Sequence, residues 1–311
     1  MIAKFVQWLF PKLRSLHFKK FNPAYKQLVE KYPTIYANRE KFPFFFDFVN
    51  NSLVKLSILV GVSFAMENEM LVANIPTCGT NVKINLDRRT ALVFMCDQFV
   101  RKSTYNFILD KSTIVMDVGM NIADSSLAFA ANSYVTRVFA YELIPQIVER
   151  AMVNIGLNPE IAPKIVVNNY GLGVKNSELE VPYYDSFDAG SGLYNDSRQK
   201  MFRGKAQNTK CVIKDICEEV KLIVETYPDE QIFLKIDAEG AEYEMIDALF
   251  SSVLGRHIKY VALEYHFGVK NIVDILMNQN FEVIQRLLTF DMDSSEHEVG
   301  CIQAVRLADR F

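Results

Sequence analysis

The sequence predicts an α/β protein, a parallel sheet with helices packed on both of its faces. Two observations carry this. From Ser112 onward, short and wholly apolar runs alternate with segments of helical period, which is the pattern of strands buried on both sides and joined by crossover helices. Several of those runs also end abruptly in charge or glycine. In FLKIDAEGAEYEMIDAL (Phe233–Leu249), Lys235, Asp237, Glu239 and Glu242 crowd around Gly240 where a buried strand should be ending. Open α/β sheets bind ligands beyond the carboxyl ends of their strands, so the apolar part of such a run is core and the charged part is the floor of a cleft.

The elements follow in order. TIVMDV is a continuous apolar strand that ends at Asp117 and Gly119, and the small-residue helix IADSSLAFAAN follows it. RVFAYE is the second strand. PQIVERAMVNIGL is its helix, started by Pro145, with Ile147, Val148, Ala151, Met152 and Ile155 on one face. KIVVNN is the third strand. A long loop leads to the helix DICEEVKLIVE, which turns Ile216, Val220, Ile223 and Val224 inward. QIFLKID is the fourth strand, AEYEMIDALF its helix, and HIKYVALEYHF the fifth strand. NIVDILMNQ is helical, and FEVIQRL and GCIQAVRL close the chain as two further strands, seven in all.

Upstream the rhythm differs. Residues 1–65 read as a mostly helical extension rich in Phe, Lys and Pro, and residues 66–311 as the main domain, with its core from about residue 112. LVANIP and VKINL are short strands; Val82, Ile84 and Leu86 alternate with polar neighbours, as in a half-buried strand. A helix is expected over Ala91–Leu109. The apolar run LVKLSILVGVSFAM (Leu53–Met66) has 14 residues and includes Lys55. A membrane span needs about 20 apolar residues, so this run reads as a buried or interfacial helix.

Composition narrows the function. The chain has 311 residues, half of them hydrophobic, with 23 Phe and 14 Tyr, which is ample for a large core. A net charge of −3 does not suggest a general nucleic-acid binder, and none is expected as partner. Residues 1–31 hold seven Lys/Arg and one acid, leaving about −9 on the rest. There Phe5, Trp8, Leu9, Leu13 and Leu16 sit among Lys4, Lys12, Arg14, Lys19 and Lys20, a mixture that suits an anionic membrane surface or a protein neighbour. The five cysteines show no C-x-x-C spacing and no secretory signal is evident, so a reducing, cytoplasmic setting is expected. With four histidines and no zinc spacing, no metal centre is expected.

Four groups of residues can carry chemistry. Asp117-Val118-Gly119-Met120-Asn121 joins a strand to a helix. Gly119 permits a tight turn and close approach to backbone, and the N–H groups opening the helix favour an anion. Glu142 stands at the tip of the second strand, 23 residues after Gly119, where an acid commonly holds ribose hydroxyls. Asp237, Glu239 and Glu242 follow Lys235 on the fourth strand. Glu242, and to a lesser degree Glu239, also fit solvated acids at a helix N-terminus, whereas Asp237 is still on the strand. Glu264-Tyr265-His266 ends the fifth strand; His266 reads equally as a structural histidine.

LKIDAEGAE (Leu234–Glu242) resembles the K-I-D-x-E-G-x-E motif of the FkbM-type S-adenosylmethionine-dependent methyltransferases. VMDVGMNIADSSLAFA resembles their D-x-G-A-N-x-G-x-x-S/T block, and VFAYELIP their F-x-F/Y-E-x-x-P block, in the same order. The resemblance covers roughly residues 112–311 and implies a Rossmann-like class I methyltransferase fold, with a seven-stranded, mostly parallel sheet. Met120 stands where the family usually has Ala and Ala123 where it usually has Gly; the added methyl of Ala123 either crowds the cofactor or tightens helix packing.

The resemblance also implies roles. The cofactor is S-adenosyl-L-methionine. Its amino-acid end lies along Asp117, Gly119 and Asn121, its ribose on Glu142, and its adenine near Asn169 and Tyr170. Asp237 and His266 are the two candidates for the general base, His266 on the strength of an ordinary imidazole pKa of ~6.5. Lys235 fixes Asp237 or the acceptor by charge, and Glu239 and Glu264 face the acceptor. O-methylation of a sugar or another small-molecule or glycan acceptor is the leading expectation. A nicotinamide-dependent oxidoreductase and a non-catalytic scaffold with this fold are the rivals; the missing glycines of G-x-G-x-x-G speak against the first. Aromatic residues between Ser177 and Thr209 (Tyr183, Tyr184, Phe187, Tyr194, Phe202) either shape the acceptor pocket or pack on their own domain.

Overall fold

A computed structural model describes residues 23–46, 48–101, 105, 107–184, 207–290 and 299–307. The chain divides into two compact units, Met1–Arg101 and Lys102–Phe311, where the sequence reading drew its boundary at 65/66. The basic N-terminal stretch lies outside the described residues.

The first unit runs α1 (Pro23–Lys31), α2 (Pro33–Ala37), a 3-10 turn (Pro43–Phe46), α3 (Phe48–Leu59), the antiparallel strands β1 (Ser63–Glu67), β2 (Met70–Pro76) and β3 (Asn81–Asn85), then α4 (Arg89–Met95) and a π-helical turn to Arg101. Tyr32, Phe45 and Phe64 meet edge to face with ring centroids 5.0–5.9 Å apart, and Leu71, Ile84, Leu92 and Met95 are buried. Two expectations need correction. The apolar run from Leu53 is not one helix: α3 stops at Leu59, Gly61 takes a left-handed φ of 95°, and the rest becomes β1. The helix expected to reach Leu109 ends at Arg101. Among the described residues no helix is long and apolar enough to cross a membrane.

The second unit holds the predicted sheet. Its strands are β4 (Thr113–Val118), β5 (Val135–Tyr141), β6 (Ile165–Asn168), β10 (Gln231–Ile236), β11 (Ile258–Tyr265), β12 (Phe281–Phe290) and β13 (Val299–Arg306). They lie in the order β12-β13-β11-β10-β4-β5-β6. β11, β10, β4, β5 and β6 run parallel, and β13 is antiparallel to both β11 and β12. This is the seven-stranded, mostly parallel sheet of a Rossmann-like class I methyltransferase fold.

Alternation sets its two faces. Ile114, Met116, Val118, Leu234 and Ile236 pack with Ile216, Val220 and Ile223 of α7 (Ile216–Thr226), with Met245, Ile246 and Leu249 of α8 (Glu242–Ser251) and with Ile272 and Leu276 of α9 (Lys270–Asn278). Phe233 points to the other face, where Phe129 of α5 (Asp124–Ala130) meets it at 5.0 Å. α6 (Pro145–Gly156) carries Ile147, Ala151 and Ile155 inward as predicted, but Met152 is exposed and Asn154 is buried in its stead, donating to the Ile122 carbonyl at 2.8 Å.

The long loop after β6 is a further correction. Much of it forms a small sheet, β7 (Gly171–Gly173), β8 (Ser177–Tyr183) and β9 (Gln207–Asp215), in the order β7-β9-β8. Val181, Tyr183 and Cys211 pack against Ile144 and Ile147. Tyr183 is therefore core and not acceptor lining, while Phe187, Tyr194 and Phe202 lie outside the described residues.

Strand order reverses between β4 and β10. β5 and β6 continue on one side of β4, and β10 and β11 lie on the other. The carboxyl ends of β5, β4, β10 and β11 therefore stand in a row, about 4.8 Å from one strand to the next. They carry Glu142, Gly119, Asp237 and His266.

Candidate active site

The site is built around a close approach of two chain segments. Gly119 has a φ of 79°, and a Cβ placed on it would overlap the backbone carbonyl oxygen of Asp237. Backbone bonds knit the same place together: the Gly119 and Met120 amides donate to the Tyr141 carbonyl at 2.9 and 3.0 Å, and the Asp237 amide donates to the Val118 carbonyl at 3.0 Å. Asn121 and Ala123 follow with φ of 49° and 67°. Two left-handed residues within three positions wind the chain into a tight loop before α5.

Beneath that loop lies a buried ion pair. Asp117 and Lys235 are register partners on parallel strands, so their side chains leave the sheet on the same face. Lys235 Nζ is 2.9 Å from Asp117 Oδ1 and also donates to the carbonyls of Val118 (3.2 Å) and Gly119 (2.5 Å). The other Asp117 oxygen accepts from Ser125 and Ser126 at 2.7 and 2.6 Å. Burial disfavours the Lys235 charge, but Asp117 and then Asp237 more than offset it and hold the ammonium above its usual range. Both side chains are essentially inaccessible, 0% for Asp117 and 1% for Lys235. Asp117 is buried beneath the loop, and Lys235 grips Asp117 and the loop carbonyls. They position the turn.

Glu142 ties the next tip to the same loop. Its Oε2 accepts the Asn121 amide at 3.1 Å and its Oε1 the Ile144 amide at 2.9 Å. Burial nevertheless pushes its carboxyl up to about 7 against those two amides. Asp124, at the start of α5, is likewise raised to about 7 by burial, with Lys235 opposing. The Asn121 side-chain oxygen is buried with no hydrogen-bond partner among the described residues. Asn169 is exposed and donates to the Glu142 carbonyl at 3.0 Å, beside the ribose position expected for Glu142. Tyr170 is not gathered with them: its single hydroxyl hydrogen is shared between Asn168 Oδ1 and Glu219 Oε1, both at 3.2 Å, and Lys214 sits 3.9 Å over its ring.

On the β10/β11 side the charges converge. Glu239 and Gly240 are both left-handed, φ 50° and 108°, and this turn brings Glu239 Oε2 to 3.5 Å from His266 Nε2. Glu242 was expected as a solvated helix-end acid. It is instead wholly buried: its Oε2 accepts the Gly240 amide at 2.8 Å, and its Oε1 accepts the His266 backbone amide at 3.0 Å and faces Nδ1 at 2.9 Å. Burial alone would lower His266. The hydrogen bond and charge of Glu242, with Glu239 and Asp237 behind it, win and raise the imidazole to about 9. His266 is thus an imidazolium near neutral pH, and the expected ordinary pKa that made it a candidate base does not hold. Glu264 is raised to about 8, first by burial and then by Asp237.

Residues 117–290, more than half of the chain, match the Methyltransferase FkbM domain. The chain belongs to the FkbM methyltransferase family. Solved structures similar to this FkbM chain include M. capricolum TrmK in complex with S-adenosyl-homocysteine, at 12% identity over 64% of each chain, with a TM-score of 0.37. The Methyltransferase FkbM from Methylobacillus flagellatus is 10% identical over 68% of this chain and 53% of that one, with a TM-score of 0.38. The chain thus spans under two thirds of the length of either. No curated protein matches the sequence.

Two residues of this FkbM chain escaped the sequence reading. Tyr105 precedes β4, yet its hydroxyl donates to Asp237 Oδ2 at 3.4 Å; burial and then Asp237 hold its phenol well above the usual range. No local pattern points to a contact between residues 132 positions apart. Glu242 did have a signal, as the last acid of LKIDAEGAE, but the favourable dipole of a helix N-terminus explained it too readily.

Proposed function

We propose that this chain is an S-adenosylmethionine-dependent methyltransferase acting on a hydroxyl of a sugar or other small-molecule or glycan acceptor. One observation carries the reading: at the switch point of a family member's sheet, the Gly119 turn stands against Asp237 with the Glu142 carboxylate one strand away. The residues present suit the cofactor. The Asn121 oxygen is buried with no partner among the described residues, and Glu142 retains acceptor capacity for ribose hydroxyls beyond its two amides.

When bound, S-adenosylmethionine supplies a methyl group on an already activated sulfonium. The chain has to orient an acceptor, exclude water and remove a proton. Orientation of reactants can contribute ~7–11 kcal/mol. Asp237 is the general base, a role typically worth ~10²–10⁴-fold. His266, already protonated, supplies positive charge near the acceptor oxygen, and Glu239 and Glu264 accept or share its hydroxyl hydrogens. A net charge of −3 favours a neutral or polyhydroxyl acceptor over a polyanion such as RNA.

The test is thermal stabilisation of the full chain by S-adenosylmethionine, S-adenosylhomocysteine and NAD, followed by a metabolite screen with methyl-labelled cofactor. Stabilisation should rise with ligand concentration over Kd for the first two only, and label should appear in an ether. Stabilisation by NAD alone would favour an oxidoreductase. Stabilisation by S-adenosylhomocysteine with no label transferred would favour a scaffold.

A further inference from the structure

We propose that Asp237, Glu239 and His266 hold one divalent cation, and that this ion binds the acceptor's hydroxyl. The inference rests on the methyltransferase reading for the purpose of the ion, but not for its existence. One oxygen from each carboxylate and one ring nitrogen of His266 all lie within 4.8 Å of one another. Zn2+ and Mg2+ bind oxygen and nitrogen at about 2.0–2.2 Å, so two ligand atoms on one such ion stand at most ~4.4 Å apart. The Glu239 Oε2 to His266 Nε2 separation of 3.5 Å already fits. The rest needs only small side-chain closure.

The support behind His266 makes this more than a group of acids. Metal-binding histidines commonly give their second ring N–H to a carboxylate, which fixes the tautomer and aims the other nitrogen at the metal. Glu242 Oε1 stands 2.9 Å from Nδ1 and also accepts the His266 backbone amide. The ring is therefore clamped with Nε2 toward Glu239. Glu242 is itself fully buried, anchored through its other oxygen by the Gly240 amide.

Two carboxylates and one imidazole suit Mn2+ or Mg2+ with water, or Zn2+, rather than a soft metal. Three protein ligands leave positions for acceptor oxygens, and a Lewis acid at that place lowers the pKa of a bound hydroxyl. The step asked of the site is a proton transfer. The hydroxyl O–H breaks, its electron pair stays on the oxygen beside the ion, and the proton passes to the Asp237 oxygen not used for the metal. The ion takes the place of the Nε2 proton of His266.

The experiment is Mn2+ titration of EDTA-stripped full-length protein, followed by EPR of free Mn2+, with Mg2+ and Zn2+ as competitors. We expect one site per chain, at least 10-fold weaker in Glu239→Gln and in His266→Asn, and 10–100-fold weaker in Glu242→Gln, which alters only the support. Thermal stabilisation by S-adenosylhomocysteine is read on every sample and should persist in Glu239→Gln. No Mn2+ site in wild-type protein that S-adenosylhomocysteine still stabilises would overturn the proposal, as would wild-type Mn2+ affinity in all three variants. One Mn2+ site without any response to S-adenosylhomocysteine would uphold it and overturn the methyltransferase reading instead.

Discussion

Gly119 and Asp237 touch through backbone: the place a Cβ would occupy on Gly119 is filled by the Asp237 carbonyl oxygen. The switch point of the sheet is thus closed by a contact that only glycine allows. Gly119→Ala meets both an unfavourable φ and an overlap with main chain that cannot swing away. A loss of about 2–5 kcal/mol in stability is expected, read by urea denaturation, with S-adenosylhomocysteine stabilisation lost in whatever remains folded.

Ala123 is the converse case. It holds a φ of 67° as the N-cap of α5, fully buried, in a conformation that L-residues avoid by roughly 1–2 kcal/mol. The family's usual glycine there has a backbone reason, and the departure noted in the sequence costs strain. Ala123→Gly should stabilise the chain by about 0.5–1 kcal/mol after the added entropy of an unfolded glycine. A lower denaturation midpoint in that variant would contradict this and point to packing of the methyl as the larger effect.

The Asp117–Lys235 pair predicts strong coupling. Lys235→Met leaves Asp117 as a buried carboxylate with only two serine donors, a loss of about 3–5 kcal/mol. Asp117→Asn in the same chain should recover part of that loss. Additive effects in a double-mutant cycle would show that the two do not act as a pair.

Stability should fall as pH rises. Glu142 and Asp124 are raised to about 7, Glu264 to about 8 and His266 to about 9. A group whose folded pKa lies above its unfolded one stabilises fully below the unfolded value and loses that contribution as pH climbs through the folded value. The carboxyls therefore act from about pH 3.8 (Asp124) or 4.5 (Glu142 and Glu264) up to about 8, and the imidazole from about 6.5 to 9. The melting temperature of ligand-free protein should decline across pH 6–9, with a shallower slope in Glu142→Gln. Ribose hydroxyls donate to an ionised carboxylate, so S-adenosylhomocysteine should bind more tightly as pH rises through 7 in wild type. A flat profile would remove Glu142 from cofactor recognition.

Asp237→Asn keeps the shape of the side chain and removes its basicity. Turnover should drop ~10²–10⁴-fold with S-adenosylhomocysteine affinity nearly unchanged, because the Asp237 contact with Gly119 is through backbone. Initial rates and calorimetry separate the two; wild-type turnover would take Asp237 out of the mechanism.

By itself the sequence determined the layers of the second unit. Wholly apolar runs such as TIVMDV and QIFLKI can be stable only when buried on both faces, and the 3.6-residue stripes of α7 and α8 say what buries them. It also named the strand tips, because charge at the end of a buried strand has nowhere else to go. What the tertiary structure alone decided was which way each charge turned. Asp117 and Lys235 face each other because two distant strands fall into register, which no local pattern encodes. Glu242 turned inward to His266 and not to water, and Tyr105 reached Asp237, because the tips of β10 and β11 and the segment before β4 meet only after the sheet has formed. The same proximity reversed the expectation for His266: an imidazole's pKa is set by its neighbours, and its neighbours are a property of the fold.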